Sequence, residues 1–361
     1  MKQYWKVCLV PVAIAAGSLL NVNSIIAQTG NGGKNDSVVG NAKQESQQDE
    51  AGTTEVQEQL EKAQALAEKG QTKQAIQIVL QQFEESNDVR FGVGLLKLVQ
   101  DSAMNIAKSS RRKSHLYFVR GGEVARKLLI HPDLDPALRN DVILVLFHEA
   151  RSRSVNRDPA GTVACLKELF EQGFSDFSLI ENEVDFRRLA KNEDFLETVN
   201  SARDAFRQRL IGQAKQQIDR FESFDFDFQG NDVLGRPLGL AGLKGKVVIV
   251  DIWGTWCPPC RKEIPAFIQL KKNYAEDLEI VGLAYERGEA SEAVQKVIKF
   301  GVQSKINYPC AIGDEATKTM IPNFRGYPTT LFIDREGKVR MVTVGAESYE
   351  RLESLVLALK E

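Results

Sequence analysis

Residues 246–263 constrain the chain more than any other segment. Lys246 is followed by Val, Val, Ile, Val, Asp, Ile and Trp253, an almost unbroken apolar run. A short run rich in β-branched residues reads as a strand buried on both faces, in the middle of a sheet. Trp256, Cys257, Pro258, Pro259 and Cys260 come next, and a helical pattern follows to about Tyr274. A central strand therefore hands over directly to a helix with two cysteines in its first turn.

That placement has chemical consequences. The first-turn amides of a helix are unpaired and the macrodipole is positive there, so a thiolate is stabilised. The thiolate is the attacking species in sulfur chemistry. Cys257 reads as the exposed nucleophile. Cys260, about one turn on, reads as the sulfur that attacks a mixed disulfide and releases the product. Pro258 and Pro259 have no N–H to offer the Cys257 sulfur. Fewer donors mean a less stabilised thiolate, and a reducing-to-intermediate potential is expected. Asp251 lies at the end of the buried strand, six residues before Cys257. Burial raises the pKa of such a carboxyl, and it could accept the Cys260 proton as a general base.

The flanking segments supply the rest of a layered fold. Phe224, Phe226 and Phe228 alternate with Asp225 and Asp227, as in a strand with one buried face. Further strands are expected at 278–285, around Cys310, at 327–334 and at 339–344, with helices at 290–302 and 349–359. Alternating strands and helices that end in a hairpin give an α/β layer with a mixed central sheet, spanning residues 221–361. Pro328 opens one of the hairpin strands, and on base frequency alone its peptide bond is trans.

Upstream the texture is helical. Apolar residues recur at helical spacing from Thr53 to about Arg220, so 53–220 is expected to be an all-α domain ending in a long polar helix. The runs Arg111–Arg112–Lys113 and Arg151–Ser152–Arg153 read as solvated helix ends, and His115, His131 and His148 as surface or helix-end residues. Residues 28–52 are rich in Asn, Gln, Gly, Ser and Asp and read as a disordered linker. Residues 1–27 begin with Lys2 and Lys6, continue into an apolar core and end at Ala27. This is the layout of a secretory signal peptide, cleaved or kept as an anchor. Export would set the later cysteines in a compartment where disulfides persist.

Two motifs together resemble a known superfamily. W-G-T-W-C-P-P-C-R-K-E-I-P from Trp253, followed further on by G-Y-P-T-T-L-F-I-D-R-E-G-K from Gly326, looks like thioredoxin. It looks closest to the exported TlpA/ResA-like branch of thiol–disulfide oxidoreductases. The resemblance implies that Cys257 attacks, Cys260 resolves and Pro328 is the cis-proline facing the sulfurs. It also implies that the Tyr327 backbone pairs with an incoming substrate strand and that Trp253 and Trp256 shield the site. Asp251 matches the buried acid of thioredoxin itself, where many exported members carry Asn. The acid that some members place between the two cysteines is absent here. Glu263 is the nearest substitute and reads as a surface cap or ion-pair residue. By the same resemblance the partners are disulfide-containing exported proteins and a membrane thiol-electron donor, in the periplasm or tethered facing it. Residues 173–199 weakly resemble the tail that closes tetratricopeptide (TPR-like) helical arrays, although no clean repeat precedes them.

Other chemistries fit less well. Net charge is −2 on 361 residues, which does not suggest a nucleic-acid partner. Arg261 stands where a c-type haem site needs His. Zinc would need more ligands than the two adjacent cysteines. No cofactor or metal is expected beyond a redox-active Cys257–Cys260 disulfide. A peroxiredoxin would carry Thr where Gly254 stands, three residues before the sulfur. A reading from a different class makes the helical region a protein-binding scaffold and the cysteine-bearing domain its redox-regulated passenger. Cys165 and Cys310 read as buried free thiols.

Overall fold

The computed structural model describes residues 42–360. The expected export segment 1–27 and residues 28–41 of the expected linker lie outside the described residues. The remainder of that linker is helical: α1 spans Ala42–Glu68 and so begins well before Thr53. Among the described residues, no helix is long and apolar enough to cross a membrane.

The chain divides into two compact units between Arg203 and Asp204. The first is helical: α1, α2 (Thr72–Ser86), α3 (Val89–Ser109), α4 (Arg111–Leu129), α5 (Arg139–Val155), α6 (Pro159–Glu171), the short α7 (Phe177–Asn182) and the start of α8 (Glu193–Arg220). Sequence-adjacent helices from α1 to α6 pack on one another. Their starts are fixed locally. Asp88, Ser110, Asp158 and Asp176 each accept a hydrogen bond from an early helix amide, and Pro159 occupies a first-turn position where no N–H is missed.

The basic runs differ from expectation. Glu149 is fully buried and holds Arg126 at 2.8 Å and Arg153 at 2.7 Å. Arg151 pairs with Glu183 and Asp185, and Arg111 also reaches Asp185. These arginines tie helices together because a carboxylate shut away from water requires cationic partners. Gly122 permits the approach of α4 to α5, since a β-carbon there would lie 1.8 Å from Glu149 Oε2. His148 is half-buried rather than fully at the surface. It packs against Phe118 and Phe147, and burial lowers its pKa to about 4.

The second unit contains the later part of α8. The long helix thus spans the division between the units at 203/204 and ends at Arg220, where the sequence expectation ended the helical domain. The physical reason is that Ala214 and Ile218 belong to the second unit's core, while Arg207 bonds Tyr274 and Glu353. The strands follow in order: β1 (Phe224–Asp225), β2 (Gln229–Asn231), β3 (Pro237–Gly239), β4 (Val247–Trp253), β5 (Leu278–Ala284), β6 (Cys310–Ile312), β7 (Thr329–Ile333) and β8 (Lys338–Val344). The helices are α9 (Pro258–Asn273), α10 (Ala290–Ser304), α11 (Glu315–Thr319) and α12 (Tyr349–Lys360). The main sheet has the order β1-β8-β7-β4-β5-β6 and is mixed. β4, β5 and β6 run parallel, whereas β7 is antiparallel to both β4 and β8. β2 and β3 form a separate hairpin.

β4 is central and every residue in it is buried. Alternation sends Val248, Val250 and Ile252 to one face with Phe226, Phe228, Leu331 and Ile333. Val247, Ile249 and Trp253 go to the other, with Ile264 and Phe267 of α9 and Leu352 and Leu355 of α12. The expected strand at 224–228 shrinks to two residues. Only Phe224 and Asp225 pair with β8, and Phe226 and Phe228 serve as core side chains.

Candidate active site

β4 delivers its chain to α9 through Gly254, Thr255, Trp256 and Cys257. Glu286 fixes this connection by accepting from the Thr255 amide at 2.6 Å and from its hydroxyl at 2.9 Å. Cys257 is the N-cap of α9, with Pro258 and Pro259 behind it. The first amide available to its sulfur is that of Cys260, which donates to Cys257 Sγ at 3.3 Å. Cys257 and Cys260 are joined as a disulfide.

Cys257 is not exposed in this oxidised form. It is 2% exposed, as buried as Cys260, and both sulfurs belong to the core on the α9 face of the sheet. As the N-cap it points inward over the first turn, toward its partner. Trp256, beside it in the chain, is 42% exposed. The indole donates to the Tyr285 carbonyl at 2.9 Å and meets the Tyr327 ring edge-on at 5.3 Å. Tyr327 also touches Tyr285 and Phe324, and the Arg287 guanidinium lies over Trp256 at 5.2 Å. The result is an aromatic surface, partly cationic, around the Trp256–Cys257 step.

The Tyr327–Pro328 peptide bond is cis, as the resemblance implied and base frequency did not. Pro328 leads into β7, and β7 pairs with β4 so that Thr330 sits opposite Asp251. Asp251 is fully buried, and neither of its oxygens meets a protein donor. Burial, reinforced by the nearby Glu263 carboxyl, holds its pKa well above the carboxylate range. Trp253 is buried in the core with both cysteines and packs on Phe300 at 5.6 Å. It lies wholly inside the fold, whereas Trp256 faces solvent.

The AhpC/TSA family profile matches residues 224–342. The chain is 32% identical over 127 residues to the thioredoxin-like protein YneN of Bacillus subtilis, covering 35% of this chain and 73% of that protein. It is 37% identical over 129 residues to the thiol–disulfide oxidoreductase ResA of Bacillus cereus, covering 35% and 71%. The chain belongs to the ResA-like thiol–disulfide oxidoreductases. A thioredoxin-family thiol:disulfide interchange protein from Chlorobium tepidum, of known structure, is 31% identical over 38% of this chain and 95% of that one, with TM-score 0.35.

Within this ResA-like unit one residue departs sharply from its sequence reading. Glu263 neither caps nor pairs on the surface. It is 1% exposed, accepts from the Glu347 amide at 3.0 Å through Oε1, and leaves Oε2 buried without a donor. Burial pushes its pKa up to about 7, against the pull of that amide. The spacing gave one usable signal, since Glu263 is three residues after Cys260 and shares its helix face. Tyr285, Phe324 and Arg287 were also missed. Tyr285 and Arg287 sit in the loop after β5 and Phe324 in the segment before β7, so they meet only through the fold.

Proposed function

We propose that this enzyme is exported and reduces disulfides in partner proteins by a dithiol mechanism. The observation that carries the reading is the Cys257–Cys260 disulfide at the start of α9, bordered by the exposed Trp256 and by the Tyr327–Pro328 turn. In the reduced form the Cys257 thiolate attacks a substrate cystine. A Cys257–substrate bond forms, the substrate disulfide breaks and one substrate thiolate leaves. Cys260 then gives up its proton to Asp251 and attacks Cys257. The Cys257–Cys260 bond forms, the second substrate thiolate leaves, and two electrons have passed from enzyme to substrate.

Trp256 and Tyr327 offer the surface on which the substrate segment lies, and the Tyr327 backbone offers edge pairing. A thiol-bearing electron donor at the membrane would re-reduce the pair. The apolar leader and the family membership support an exported, periplasm-facing location. Insulin reduction tests the proposal. The reduced full chain should precipitate the insulin B chain, and Cys257→Ser should abolish the activity. Equal activity in Cys257→Ser would refute it.

The AhpC/TSA profile match favours peroxide reduction as a second reading. Stoichiometric consumption of hydrogen peroxide by the reduced chain, without turnover on insulin, would establish it instead.

A further inference from the structure

Two adjacent residues after β5 grip the two residues that precede Cys257. Glu286 accepts from the Thr255 amide at 2.6 Å and from its hydroxyl at 2.9 Å. Arg287 sets its guanidinium over the Trp256 ring at 5.2 Å. The Tyr285 carbonyl, from the same short segment, takes the indole N–H at 2.9 Å. The indole folds back over Gly254, where a β-carbon would lie 2.5 Å from its Nε1, and Tyr327 meets it edge-on at 5.3 Å. Trp256 is therefore a fixed platform, and Arg287 is a cation held on it beside the Cys257 step.

The charge of Arg287 is not spent inside the protein. The residue is exposed, and no carboxylate among the described residues pairs with its guanidinium. Contact with a ring leaves most of the N–H donors of a guanidinium unused. Acids in the surrounding segments are engaged elsewhere: Glu286 on Thr255, Asp314 on Thr317 and Glu315 on Lys318. Glu289, which caps nothing on α10, is the exception. Lys318 extends the same patch, its ammonium 5.6 Å from the Tyr285 ring and 5.9 Å from that of Phe324. The chain as a whole carries −2. That net charge repels an acidic partner, so any attraction for one has to come from this local patch.

We infer that Arg287 selects the substrate: the enzyme prefers protein cystines whose reacting cysteine is flanked by aspartate or glutamate. The flanking carboxylate docks on the free edge of the guanidinium through paired N–H···O bonds, the geometry in which guanidinium binds carboxylates best. The apolar part of the segment lies on Trp256 and Tyr327. A lysine beside the reacting cysteine is rejected, since two cations would then face each other with no acid between them. Arg287 takes no part in the sulfur exchange itself, which proceeds as set out above. The inference rests on that dithiol reading and names the class of substrate it acts on.

Symmetric disulfide dimers of a short peptide test it, each strand carrying one cysteine flanked on both sides by glutamate, glutamine or lysine. Whichever sulfur is attacked then has the same neighbours. Single-turnover reduction by the reduced full chain gives a second-order rate constant for each dimer. Division by the rate constant for dithiothreitol removes the effect of flanking charge on the sulfur itself. At low salt the normalised rate should be about fivefold higher for the glutamate peptide than for the glutamine peptide, and lowest for the lysine peptide. The glutamate preference should shrink as sodium chloride rises to about 0.5 M, where the screening length is about 4 Å. Arg287→Gln should bring the glutamate-to-glutamine ratio to about one, and Arg287→Lys should keep part of it. Lys272→Gln removes the same charge from the last turn of α9, at the far end from Cys257, and should keep the wild-type ratio. Equal normalised rates for the three peptides with the wild type overturn the proposal, as does an Arg287→Gln variant that retains the preference. Should that variant not fold, the wild type decides, since a preference absent at low salt or unchanged at about 0.5 M salt overturns the proposal. A wild type that reduces none of the peptides would refute the dithiol reading itself, which is a separate result.

Discussion

The Trp256 indole donates to the Tyr285 carbonyl at 2.9 Å, and that bond holds a partly exposed ring next to the buried Cys257 sulfur. It joins the β4–α9 connection to the end of β5, so the surface beside the cystine is fixed by backbone on both sides.

Trp256→Ala should therefore weaken protein substrates more than small ones. Loss of an aromatic platform costs on the order of 1 kcal/mol, which is roughly three- to tenfold in KM for insulin. The rate with Ellman's reagent should hardly change. Trp256→Phe should fall between the two, keeping the edge contact with Tyr327 but losing the hydrogen bond. Steady-state kinetics with both substrates provide the check.

Stability should fall as pH rises. Native Glu263 keeps its proton up to about pH 7, whereas its ordinary value is 4.5. Between those values the folded state binds more protons than the unfolded state, so unfolding becomes easier with increasing pH. For Glu263 the loss is about 3 kcal/mol by pH 8, and Asp251 adds in the same direction. Urea unfolding of the full chain at pH 5 and pH 8 should show this, and Glu263→Gln should be more stable than wild type at pH 8. A transition that does not move between the two pH values would refute the burial argument.

The strand, the cysteine-bearing helix and the closing hairpin were legible in the sequence because their signals are local. An apolar run, a two-cysteine turn and alternating residues each declare themselves within about ten positions. The expectation failed where a residue's environment is made by distant chain. Glu263 follows the exposed Arg261 and Lys262, and nothing nearby says that the amide of Glu347, 84 residues on, will hold its carboxyl inside. Arg151 looked like a solvated helix end because its partners Glu183 and Asp185 lie far along the chain and meet it only once the unit packs. The inward turn of Cys257 also depends on packing, since residue spacing places a side chain on a helix end without stating what covers it.

The ion-pair cluster around Glu149 gives a stability prediction for the helical unit. Glu149→Ala would leave Arg126 and Arg153 without their shared carboxylate in a closed site. The expected loss is about 3 kcal/mol, the lower end of the range for buried pairs, because both arginines are partly exposed. A denaturation curve of the variant that overlays the wild type would contradict the reading of these pairs as structural.

Cys165 and Cys310 should be chemically silent. Both are buried free thiols, and burial raises them to about 11 and about 12. Iodoacetamide at pH 8 should leave both unmodified in the native oxidised protein and alkylate both after denaturation, as read by peptide mass spectrometry. Labelling of either in the native state would place it in the redox chemistry.

The most direct test of the central claim uses the Cys260→Ala variant. Removal of the second sulfur leaves the mixed disulfide with no intramolecular exit. Incubation of the variant with a cystine-containing protein, followed by non-reducing mass spectrometry, should give one covalent adduct, joined through Cys257. No adduct, or an adduct through any other cysteine, would contradict the account.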